Sequence, residues 1–162
     1  MSLREITDLL EEMDRIPGFD PGPVRLASIE TLRAAYNGCG PERWPQAIRD
    51  LLDSRTSDYA PAVLVHDLEF HQSDGTARRL AAANDRFRRN LEATFHHRYP
   101  LLTWKILRPS YRLARARAKA VMMALALAIS SVFTRRAWLE AYEARTGMAT
   151  ASFTDEAPED IC

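Results

Sequence analysis

His66 and Asp67 stand side by side in a chain that carries another carboxylate at Asp85 and a glycine-punctuated turn at Tyr36-Asn37-Gly38-Cys39-Gly40-Pro41. A neutral imidazole takes a proton from water through one ring nitrogen. It does so best when the other nitrogen is held by an acceptor that fixes the tautomer and stabilises the imidazolium. His66 is the candidate base and Asp85 the candidate acceptor. Neighbouring helical residues point about 100° apart, so Asp67 serves a separate task and, aimed at the preceding loop, suits a hard cation. Calcium takes several oxygen ligands, backbone carbonyls among them, and Gly38 and Gly40 allow a loop to turn its carbonyls inward. Such a cation polarises an ester carbonyl and stabilises its oxyanion. Together these are the parts that calcium-assisted ester hydrolysis requires.

The elements that must position these groups are helical. Leu3, Ile6, Leu9, Leu10 and Met13 recur at helical spacing and predict an amphipathic helix over 2–14, ended by Pro17-Gly18. Val24, Leu26, Ile29, Leu32 and Tyr36 predict a second helix running into the Gly38/Gly40 turn, and 44–52 a short third one. The apolar run 61–71 around His66 fits a buried strand, but its length favours a helix. Ser73-Asp74-Gly75-Thr76 is a turn, and 77–95 a long helix with Leu80, Asn84, Phe87 and Leu91 along one stripe. A short turn between two helices makes them antiparallel, which sets His66 opposite Asp85. Further helices are predicted over 111–133 and 135–145. The expectation is one mainly α domain over 1–146, with a flexible acidic tail over 147–162.

These residues resemble a known superfamily. Phospholipase A2 proteins carry a calcium loop of the form Tyr-x-Gly-x-Gly, then a helix with a His-Asp pair, then an Asp on an antiparallel helix. Tyr36-Asn37-Gly38-Cys39-Gly40, His66-Asp67 and Asp85 within Asn84-Asp85-Arg86-Phe87 match that order. The set is most similar to small phage and prophage proteins regarded as phospholipase A2-like. The resemblance spans about 36–95. It implies His66 as base, Asp85 as its partner, and Ca2+ held by Asp67 with the carbonyls of Tyr36, Gly38 and Gly40. It also implies hydrolysis of phospholipid esters, a phospholipid or membrane surface as partner, and a phage-encoded, virion-associated setting. Phe70 departs from the pattern, since the family has a Tyr there whose hydroxyl supports the His–Asp network. That loss lowers the expected catalytic efficiency and opens an alternative, a weak or inactive relative that works as a phage structural or host-interaction protein.

Plainer readings of each residue stay open. His66 beside Val65 fits a satisfied core histidine, Gly38 and Gly40 fit a helix terminus, and Asn84-Asp85 fit a solvated helix face. His71 and His96-His97 lack the spacing or the cysteines of a zinc site. No phosphate-binding glycine fingerprint or nucleophile-elbow serine occurs.

Composition adds bounds. With 162 residues, 46% hydrophobic and 27% charged, the chain is large enough for one ordinary core. Its formal charge is zero, yet 78–119 holds twelve Arg or Lys against Asp85 and Glu92 alone. That basic middle suits phosphates, of lipid or of nucleic acid, although the acidic ends and the lack of a recognised module weigh against nucleic acid. Trp104 beside Lys105 and Arg108 suits a lipid interface. The start lacks an apolar signal core and 120–133 is too short for a membrane span, so synthesis in the cytoplasm is expected. Cys39 and Cys162 are poorly placed for a structural disulfide.

Overall fold

The computed structural model describes residues 2–36 and 56–147, and the chain there forms six α-helices and no strand. Helix α1 (Leu3–Arg15) starts at a reciprocal cap in which Ser2 and Glu5 satisfy each other's backbone N–H groups. It buries Ile6 and Met13. After Gly18, at φ 76°, the chain makes a 3-10 turn over Gly22–Leu26 and then α2 (Ile29–Ala35). The single helix expected over 24–36 is divided because Ser28, in extended conformation, accepts from the Thr31 N–H and starts a new helix.

Helix α3 (Ala60–His71) follows a 3-10 turn over Ser57–Tyr59. It is apolar on nearly every side, with Ala62, Val63, Leu64, Val65 and Leu68 all buried, as befits a helix surrounded by others. Its first half-turns pack into two clusters at once. Leu64, Val65 and Leu68 meet Ile6, Val24 and Leu32, while Ala62 and Val63 meet Phe87, Leu91 and Phe95. The run is a helix, as its length predicts over the strand alternative.

At the turn after α3, Asp74 accepts from the Thr76 N–H at 3.0 Å, and Gly75 takes φ 76° beneath the Tyr142 ring. Thr76 then caps α4 (Ala77–Arg98), which returns along α3. A 3-10 turn over Trp104–Leu107 leads to α5 (Pro109–Ala128), and α6 (Val132–Thr146) closes the fold. The helix expected to reach 133 stops at Ala128 because Ser131 caps α6. Gly147 ends α6 in the left-handed conformation at φ 68°. Trp138 of α6 is fully buried against Leu80, Ala83 and Phe70, which fastens the last helix over the α3–α4 hairpin. The helix expected over 44–52 and the acidic tail beyond Gly147 lie outside the described residues.

Candidate functional site

His66 lies half-buried on α3 between two aromatic rings. Its ring centroid is 4.6 Å from that of Phe70 and 4.4 Å from that of Phe87. Phe70 in turn meets the edge of Trp138 at 5.1 Å. No hydroxyl stands at position 70, so this side of the imidazole is apolar.

The polar partner of His66 is Asn84, with Nε2 3.3 Å from the amide Oδ1. Asn84 Nδ2 donates to the Ile129 carbonyl at 3.1 Å. That second bond orients the amide, because a carbonyl accepts only from the NH2 end. Oδ1 therefore faces the ring, Nε2 carries the proton and donates, and the lone pair is left on Nδ1. The tautomer is the one a base acting through Nδ1 needs. What is missing is charge, since an amide cannot stabilise an imidazolium as a carboxylate does. Desolvation lowers the His66 pKa to about 4, and the Asn84 bond offsets only part of that.

Asp85 is not the partner of His66 in this fold. Its side chain is 59% exposed and its carboxylate pairs with Arg89, one turn further along α4. The physical reason is helical phase. Leu80, Asn84, Phe87 and Leu91 form the stripe that faces the core, and Asp85 sits about 100° off it. The stripe itself is visible in the sequence, and it points to Asn84 rather than Asp85.

Asp67 is half-buried on the next face of α3. Tyr36 ends α2, its N–H donating to the Leu32 carbonyl at 3.0 Å, and it packs partly buried against both larger core clusters. Gly38 and Gly40, the rest of the expected calcium ligands, lie outside the described residues. Among the described residues no three His, Cys, Asp or Glu side chains gather as metal ligands. Of the expected calcium ligands, Tyr36 and Asp67 are the two within the described residues.

A second polar centre, which the sequence reading missed, flanks the hairpin. Arg86 bonds Asp20 at 2.9 Å and also pairs with Glu69 of α3. Burial pushes Glu69 up, with Arg86 opposing. Burial also acts to raise Asp20, but Arg86 and the Gly22 N–H outweigh it and hold that carboxyl below its usual range. The signal was Glu69, one of two acids on a largely apolar helix and the one that is buried. Such a residue requires a cation.

Two open clefts, of about 460 and 770 Å³, are lined by other residues: one by Glu12, His97 and Arg98, the larger by Asp58, Tyr99, Arg117 and Val121. Comparison with protein-family models, with curated proteins and with solved structures gives no match.

Proposed function

We propose that this chain is a phospholipase A2-like protein whose His66 centre is catalytically weak, and that it works by binding, as a phage structural or host-interaction protein. The observation that carries the reading is the partner of His66, a neutral amide at Asn84. General-base assistance is worth about 10²–10⁴-fold in rate, and it requires an imidazole that gains its proton readily. A ring held near pKa 4 between Phe70 and Phe87 gains it poorly. The absence of a hydroxyl at Phe70 removes a further support. A fold outlives its chemistry readily, since packing and catalysis rest on different residues.

Calcium-dependent hydrolysis of phospholipid esters is the second reading. It is favoured by the tautomer, because the Asn84 orientation leaves Nδ1 as the proton acceptor. In that reading Asp67 and the carbonyls of Tyr36, Gly38 and Gly40 hold Ca2+, which supplies charge for the ester oxygen. His66 takes the proton of water at Nδ1, and Nε2–H stays with Asn84.

Hydrolysis of mixed phospholipid vesicles, with calcium and with chelator, separates the two. The binding reading expects release of fatty acid close to background from the wild type, and a gain in Asn84→Asp. Robust calcium-dependent release that vanishes in His66→Gln establishes the hydrolase instead.

A further inference from the structure

Between Glu92 and Glu140 the chain contains no Asp or Glu. Within that stretch Leu101, Leu102, Trp104 and Leu107 are 57%, 101%, 63% and 81% exposed, and Leu113 follows at 53%. Exposed large apolar side chains packed this densely in sequence are unusual on a monomer and mark a contact surface. Cations alternate with them: Lys105, Arg108, Arg112, Arg117 and Lys119 are all exposed.

The segment is held in place by its own bonds. Tyr111 donates to the Pro100 carbonyl at 2.9 Å and Arg115 to the Tyr99 carbonyl at 3.1 Å. Thr103 caps the 3-10 turn. In such a turn residues three apart eclipse, so Trp104 and Leu107 project together. The Arg108 guanidinium lies 4.4 Å from the centre of the Trp104 ring. Ile106 points inward more than its neighbours and is half-buried. The result is a braced corner with apolar tips and a collar of positive charge.

We infer that this corner, residues 101–113 with the first turns of α5, docks on the surface of an anionic phospholipid bilayer. Leucine and tryptophan tips enter the headgroup boundary while lysine and arginine meet lipid phosphates. The charge is complementary to anionic lipid over the whole patch. A second copy presenting the same face brings cation against cation. Nucleic acid satisfies the cations but leaves the leucines in water. No described helix is long and apolar enough to cross a membrane, so attachment is at the surface. The inference goes beyond the reading of His66 and holds whichever way hydrolysis turns out.

The test is cosedimentation of the full chain, in chelator, with vesicles of phosphatidylcholine alone or mixed with phosphatidylglycerol. Binding is expected to the mixed vesicles only and to weaken with salt. Arg108→Gln and Arg112→Gln each lower affinity about fivefold. The pair Leu102→Ser with Leu107→Ser lowers it about tenfold or more at an unchanged salt slope. Circular dichroism confirms folding, which these exposed positions leave intact. Absence of binding by the folded chain overturns the inference. So does binding that ignores the leucine variant while duplex DNA is bound equally well. A stable dimer that the leucine variant splits, without vesicle binding, assigns the corner to a second copy and overturns it too.

Discussion

The fully buried side chain of Asn90 holds both backbone groups of Asp20: its Oδ1 accepts from the Asp20 N–H and its Nδ2 donates to the Asp20 carbonyl, each at 2.8 Å. One amide thereby fastens the loop after α1 to the middle of α4, the helix that also presents Asn84 to His66. Asn90→Ala leaves both Asp20 groups without their partner. A loss of about 2–3 kcal/mol follows, read as a lower urea midpoint at unchanged slope.

The Arg86 centre beside it predicts an asymmetry. Arg86→Met strands the Glu69 carboxylate, whose side chain is only 8% exposed, and costs about 3–5 kcal/mol. Glu69→Gln, which leaves no buried charge behind, costs less. Gly22 is tied to the same centre: at φ 50°, an added Cβ meets the Arg86 Nε at 3.0 Å. Gly22→Ala therefore destabilises by about 1–2 kcal/mol, through backbone strain and displacement of Arg86. Denaturation of the three variants orders them Arg86→Met, then the other two.

Stability should respond to acid through His66. Its folded pKa, about 4, lies below the unfolded value of 6.5. Between those values the unfolded chain binds the proton and the folded chain does not, so stability falls as pH drops from 6.5 toward 4. The contribution is of the order of 3 kcal/mol. Glu69, raised on folding, acts in the opposite sense: its contribution is present below 4.5 and is lost as pH rises through its folded value. Melting curves across that window should show the loss in the wild type and a flatter profile in His66→Phe.

Much of the architecture was legible in the residues. Helices begin after Ser2 and Thr76 close to the expected starts, the one expected from 111 begins two residues earlier at Pro109, and the turn at Ser73–Thr76 folds the α3–α4 hairpin as its composition requires. Helix boundaries at Ser28 and Ser131 were missed because apolar spacing continues across both serines, and only the side-chain caps break it. The site was half legible. His66 sits on the expected helix facing the expected neighbour, but the side chain that reaches it is one residue earlier than Asp85. The core-facing stripe of α4, rather than the carboxylate of the motif, decides which side chain reaches the ring. The Asp20–Arg86–Glu69 centre needed contacts distant in sequence, which spacing along one helix does not report.

Pairing at His66 is open to direct measurement by NMR titration of its imidazole in the wild type, Asn84→Asp and Asp85→Asn. Pairing with Asn84 predicts a wild-type midpoint near 4, a rise of about one unit or more when Asn84 becomes a carboxylate, and no change when Asp85 loses its charge. A midpoint that falls in Asp85→Asn and stays still in Asn84→Asp contradicts it, and returns Asp85 to the side of His66.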